Sequence, residues 1–243
     1  MYNKPLATPF SRQSAVDACA EQLRTAILEG RLAAGERLPP ERELAATFGV
    51  NRVTLRAALG RLGSAGLLAT RQGSGHVVQD FRARGGPGLI AGLLRITRSS
   101  AALERAASDL FLVRRHLAHA VLERLTQLEE VDVAPLNAAV AQFGEAVARG
   151  ASLEALAEAD LAVVGALVDA TESVVLKLCL NPVVHVLGSS AALRRAIYAD
   201  PASNLRAWQL VAAWCASGRP REGLNGVLDL LRERDRHTLT HFA

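Results

Sequence analysis

The chain's 243 residues are enough for two ordinary domains or one large one, and with half of them apolar a sizeable core can form. Aromatics make up only 4% while Ala and Leu abound, which argues for helices and against a β-sandwich. The formal net charge is +4, and its distribution says more than its size: residues 1–80 carry ten Lys/Arg against seven Asp/Glu, and Leu44 to Gln79 holds no acidic residue while including Arg52, Arg56, Arg61 and Arg71.

An acid-free basic stretch suits a polyanionic partner as well as it suits an ordinary solvated face. Cys19, Cys179 and Cys215 lie far apart with no CxxC spacing, so neither a zinc ribbon nor a disulfide framework is suggested. Reduced cysteines, no charged start followed by a long apolar run, and an apolar stretch at Val174–Val186 broken by Lys177, Asn181, Pro182 and His185 fit a cytoplasmic protein with no membrane span.

In chain order, Met1 to Phe10 is polar and aperiodic and reads as a flexible arm. Ser14 to Leu28 places Val16, Leu23 and Ile27 at helical spacing, and Gly30 stops that helix. A turn-rich connector leads to Pro40, where a second helix can begin, with Glu41 and Glu43 in its first turn and an end near Phe48 and Gly49. Asn51 is a suitable N-cap for a third helix from Arg52 to about Ala65, whose buried stripe is Leu55, Ala58, Leu59 and Leu62. Leu67–Arg71 and His76–Val78 read as strands of a hairpin around Gln72-Gly73-Ser74-Gly75. Gly85-Gly86-Pro87-Gly88 marks a linker over 81–88. Beyond it the spacing predicts helices near Leu89–Ile96, Ala101–Leu128, Val133–Arg149, Leu153–Thr171, Val174–Val186, Ala191–Tyr198, Ser203–Ala216 and Arg221–His241. The expected fold is mainly α: an N-terminal winged helix-turn-helix over 1–80 with a small β-hairpin wing, and a C-terminal antiparallel all-α bundle over 89–243.

A recognition helix presents its N-terminal residues to base edges, and an arginine fork can bond guanine O6 and N7 together. Arg52 and Arg56 stand one turn apart at that end. Asn51 and Thr54 share it, and Arg42 begins the preceding helix. A glycine-rich tip allows close approach to a minor groove. Each arginine alone is an ordinary surface residue; the combined spacing points to DNA.

The run Gly35-Glu36-Arg37-Leu38-Pro39-Pro40-Glu41-Arg42-Glu43-Leu44, continued by Phe48-Gly49-Val50-Asn51-Arg52-Val53-Thr54-Leu55-Arg56 and Arg71-Gln72-Gly73-Ser74-Gly75, resembles the winged helix of the GntR family of transcriptional regulators. The resemblance implies operator contacts at Arg42, Arg52, Arg56 and Gly73, with Asn51, Thr54 and Gln72 as secondary phosphate contacts. The second half is similar to the all-helical effector domain of the FadR subfamily, through Asp109 to Leu117 and Asp160 to Ser173. It departs where that subfamily carries metal-binding histidines: Val163 and Val164 replace a Phe-His pair, and Gln209 and Arg232 stand at two further positions. Asp160 alone cannot hold zinc or nickel, so neither metal nor cofactor is expected.

Late-helix similarities at Leu178 to Asn181, Tyr198 to Pro201 and Cys215 to Gly218 bring the subfamily's acyl-CoA-responsive member into view. An acyl-CoA or another small organic acid is therefore the implied effector, with Arg114, Asp160, Gln209 and Arg232 as the implied contacts. Arg114 equally suits a buried pair with Asp109, Asp160 or Glu158. His116, His119 and His185 lack ligand spacing. The implied protein is a homodimeric repressor that binds double-stranded operator DNA, pairing through its heads or its helical domains. An activator sensing an organic acid with or without an unconventional metal site, and a non-specific architectural DNA binder, are the alternatives. An enzyme is not indicated, since no nucleophile–base pair, phosphate loop or metal cluster is recognisable.

Overall fold

The structure, a computed structural model, describes residues 12–71, 75–97, 99–189 and 191–241. The flexible arm expected over residues 1–10 lies outside them. The chain divides into two units, Met1–Ile96 and Thr97–Ala243, each with its own core.

In the first unit, helix α1 (Arg12–Leu28) buries Val16, Cys19, Ala20, Leu23 and Ile27, the 3–4 spacing of one helix face. Helix α2 (Glu41–Thr47) starts behind Pro40, and α3 (Arg52–Ser64) starts behind Asn51, whose side chain accepts a hydrogen bond from Thr54 N at 2.8 Å. The stripe Leu55, Ala58, Leu59 and Leu62 is fully buried against α1 and α2. Strands β1 (Leu68–Arg71) and β2 (Gly75–Val78) pair antiparallel, with Leu68 opposite Val78 and Arg71 opposite Gly75. The connector before α2 does more than turn. Gly35 N and Leu38 N donate to Val78 O and His76 O, each at 2.9 Å, so it lies along the free edge of β2 and covers it.

The expected linker over 81–88 is folded, and the boundary moves. Asp80 caps a short helix α4 (Phe81–Arg84), a 3₁₀ turn follows at Pro87–Leu89, and α5 (Ile90–Ile96) packs on α1. Leu89 is buried with Leu23, Ile27 and Leu67. Of the segment's own glycines, Gly85 serves close approach, since a Cβ there would lie 2.5 Å from the Phe81 carbonyl oxygen, while Gly86 and Gly88 face open space; the segment also packs against a glycine before the hairpin. At Gly66, with φ +74°, a Cβ would lie 2.1 Å from the Arg84 carbonyl oxygen. The helix expected at Leu89–Ile96 thus belongs to the first unit, and the second begins at Thr97.

The second unit is helical throughout its described length: α6 (Ser100–Thr126), α7 (Ala134–Ala148), α8 (Leu153–Asp169), α9 (Val174–Ser189), α10 (Ala191–Ile197), α11 (Pro201–Ala216) and α12 (Arg221–Leu239). Ser99, Ser152 and Asp200 cap α6, α8 and α11 through their side chains. Phe143, Leu122, Leu125, Leu136 and Val163 fill the centre, each no more than 1% exposed. The end of α6 and the turn after it are held by Arg219, which donates to Leu125 O in the last turn of the helix and to Leu128 O and Glu129 O beyond it, at 2.9, 3.0 and 3.1 Å. No single helix is long and apolar enough to cross a membrane among the described residues.

Candidate nucleic-acid interface and the helical-domain cavity

The N-terminal end of α3 presents Arg52 and Arg56 to solvent, and Arg42 is exposed on α2. Arg42 and Arg52 make no ion pair or side-chain hydrogen bond among the described residues, so their guanidinium groups are available. Arg56 is 68% exposed, yet its Nε donates to Glu41 Oε2 at 2.6 Å. Glu41 also faces the wing, where His76 Nε2 lies 3.5 Å from Oε1 and His76 Nδ1 lies 3.3 Å from the Thr70 hydroxyl. The carboxylate therefore ties α2 to α3 and to the hairpin. The hydrogen bond from Arg56 holds its carboxyl below the ordinary glutamate range, against the opposing effect of burial and with a further contribution from His76. Sequence reasoning placed Glu41 in a helix's first turn and missed this role; the link to position 56 is tertiary.

Two of the expected contacts form the N-cap of α3. Thr54 is 5% exposed, and what it contributes to the N-terminus of α3 is its backbone N–H, bonded to Asn51. Asn51 stays exposed while its Oδ1 is engaged in that cap. Gln72 and Gly73 lie outside the described residues. Val53, 64% exposed beside Arg52, is an apolar surface residue that the stripe analysis passed over. Its signal was an apolar position out of phase with Leu55, Leu59 and Leu62.

In the helical unit, α6, α8, α9, α11 and α12 surround a cavity of about 80 Å³. Most of its wall is aliphatic, and its polar groups are Arg114, Asp160, Tyr198, Trp208, Arg234, Asp235 and Thr238. Arg114 does line it, but its partner is neither Asp109, Asp160 nor Glu158. Its Nη2 bonds Asp235 Oδ1, while Arg115 Nη1 donates to Asp235 Oδ2 at 2.6 Å. Asp160 is buried, and both its oxygens are engaged, Oδ2 by the Tyr198 hydroxyl at 2.9 Å and Oδ1 by the Trp208 indole N–H. Burial and the neighbouring Asp160 carboxylate push the Tyr198 phenol far above its ordinary value, so it remains a donor.

Gln209 and Arg232 fall elsewhere. Both are exposed, and Arg232 Nη1 bonds Asp229 Oδ1 at 2.5 Å on the outer face of α12. The inward positions of that helix are Leu231, Arg234, Asp235 and Thr238, and Arg232 is turned away from them by helical geometry. Asp235 and Arg234 are the functional candidates that sequence reasoning missed. Their signal was polar residues in phase with the stripe Val227, Leu228, Leu231. His116, His119 and His185 are exposed. Among the described residues no three His, Cys, Asp or Glu side chains cluster as metal ligands would.

A tri-helical head with a hairpin wing, an arginine-bearing third helix and a separate helical domain define a winged helix-turn-helix protein of the regulator type. Residues 15–78 match the bacterial regulatory proteins of the gntR family. The HTH-type transcriptional regulator Rv0494 of Mycobacterium tuberculosis is 34% identical over 82% of this chain and 80% of its own length. The chain belongs to the GntR family, a family of transcription regulators and not of enzymes. The regulator Mce2R of the same species is 44% identical over 86 residues, 35% of this chain, and that match spans only 36% of Mce2R's length. In fold the chain is similar to Lar, described as controlling the expression of the Listeria monocytogenes agr system, with a TM-score of 0.65 at 15% identity over 97% of this chain and 98% of Lar.

Proposed function

We propose that this chain is a cytoplasmic, FadR-type member of its family: a homodimeric repressor that reads an operator with α3 and releases it when a small organic acid enters the helical domain. The observation that carries the DNA-binding half is the free, exposed guanidinium of Arg52 at the N-terminus of a capped helix, with Arg42 and Arg56 on the same unit and no acidic residue from Leu44 to Gln79. Arg52 and Arg56 read base edges, Arg42, Asn51 and Gln72 contact the DNA backbone, and Gly73 is the wing's contact at the minor groove. The effector half is supported by the cavity, with Arg114 and Asp160 in its wall. Its size favours a small acid over an acyl-CoA. The ligand acts only through unequal affinity for the two arrangements of the dimer.

The test is binding of the full chain to its gene's upstream DNA and to a scrambled duplex of equal length, at several salt concentrations. Arg52→Ala is expected to weaken operator binding by about 1–3 kcal/mol and to relax sequence preference. Equal affinity for native and scrambled DNA, with the same salt slope, would instead establish a non-specific binder.

A further inference from the structure

We propose that His76 is a positioning residue for Arg56, and that through it the wing and α3 engage DNA as one unit. The inference rests on the reading that α3 and the wing both meet DNA; the side-chain chain that carries it does not.

Four side chains on four elements form one line of hydrogen bonds. Arg56 on α3 donates from Nε to Glu41 Oε2 at 2.6 Å, and the other oxygen of Glu41, on α2, lies 3.5 Å from His76 Nε2 on β2. His76 Nδ1 lies 3.3 Å from the hydroxyl of Thr70, its cross-strand neighbour on β1. The backbone holds the same place: Leu38 N donates to His76 O at 2.9 Å, just ahead of the residue that opens α2. The donors and acceptors admit one assignment. An ionised carboxylate only accepts, so Nε2 carries the proton, and a neutral ring then accepts at Nδ1 from the Thr70 hydroxyl. The His76 side chain is 16% exposed and that of Arg56 68%, so the imidazole supports and the guanidinium presents.

What this does at a base follows from the atom used. With Nε on Glu41, Arg56 keeps Nη1 and Nη2 for guanine O6 and N7, and its plane is set by where Glu41 Oε2 points. A glutamate held by one oxygen still turns about its own torsions; His76, on the second oxygen, removes that freedom. Thr70 and His76 are the second residue pair back from the turn of the hairpin, so a displacement of the wing in its groove reaches Arg56 through them. The link from Nε2 to Oε1 is the longest of the chain and has room to tighten when the wing settles. A side chain that merely kept the hairpin on the head would act alike on every DNA.

The full chain is titrated with its gene's upstream DNA and with a scrambled duplex, at one pH and one salt concentration. His76→Leu, which fills similar space without a donor, is expected to lower the ratio of specific to non-specific affinity about fivefold, the worth of roughly one net hydrogen bond. His76→Gln, whose amide can donate to Glu41, is expected to bring the ratio back to within about twofold of the parent. In an Arg56→Ala background His76→Leu is expected to change the ratio by less than about twofold, since the group it positions is gone. An equal loss on both duplexes, or the same loss without Arg56, would overturn the positioning role and leave a structural one. Magnetic resonance decides without DNA. The long-range proton–nitrogen spectrum of the ring is expected to place the proton on Nε2. The Arg56 Nε–H resonance is expected to shift the same way in His76→Leu and Glu41→Gln, and to stay in place in His76→Gln. A ring protonated only at Nδ1, or an unmoved Arg56 resonance in His76→Leu, contradicts the assignment. Should His76→Leu fail to fold, His76→Phe, which keeps the bulk of a ring, takes its place, and the tautomer of the parent needs no variant. Equal affinity of the parent for both duplexes rejects the operator reading, and the spectra then decide the His76 assignment alone. Discrimination in the parent that survives His76→Leu unchanged leaves the operator reading standing and rejects the positioning role.

Discussion

Arg56 carries its charge toward the surface that would meet DNA, and Glu41 meets it there at 2.6 Å. A carboxylate facing phosphates is repelled by them, so what it returns must come through the arginine: one hydrogen bond fixes the guanidinium plane before a base arrives. Glu41→Gln is therefore expected to raise affinity for scrambled DNA, through loss of a like charge. It should also lower the ratio of specific to non-specific binding by about tenfold, or ~1–2 kcal/mol of discrimination. A parallel rise in both affinities in a binding titration would refute that positioning role. The pH dependence has a definite sign. Because the folded carboxyl sits below its unfolded value, the stabilisation it gives is complete above about pH 4.3 and is lost as pH falls through the folded value. Acid titration of the full chain, compared with Glu41→Gln, should show less acid destabilisation in the variant. The exposed placement of Arg52 and Arg56 was legible from their spacing, whereas the pairings of Glu41 and Asp235 were not, since each takes its partner from another element.

At the scale of elements, the helices were read from periodicity and caps, and most boundaries agree within a few residues. Asn51, Ser152 and Asp200 cap as their types suggest. The segment after β2 was misread because glycine permits two things, freedom and close contact, and composition does not separate them. At Gly66 the left-handed backbone and the carbonyl of Arg84 together demand glycine. Gly66→Ala is expected to destabilise the head by more than about 2 kcal/mol, from αL strain plus displacement of α4. Urea denaturation followed by far-UV circular dichroism measures this; a loss under 0.5 kcal/mol would mean that the segment moves aside freely and behaves as the linker composition suggested.

Across the whole molecule, two cores formed from separate stretches of chain give two sources of stability. Leu55, Leu59, Leu62 and Leu67 belong to one, and Phe143, Leu122, Leu136 and Trp208 to the other. Phe143→Ala, at a position with no exposure, is expected to cost the helical domain about 3–5 kcal/mol while leaving the transition of the winged head in place. Calorimetry resolving both transitions checks it, and an equal loss in the head would contradict separate cores.

The sequence by itself determined the helical class, the winged head, the family and the arginines of α3. These follow from local spacing and from residue types whose conformational preferences act within a few positions. Tertiary structure decided which polar residues look inward. Whether Arg232 or Arg234 faces the cavity is a matter of 200° around one helix, and that phase is set by what packs against α12. It also decided the partners, Glu41 for Arg56 and Asp235 for Arg114, because a charge chooses among groups brought close by folding and not by order along the chain.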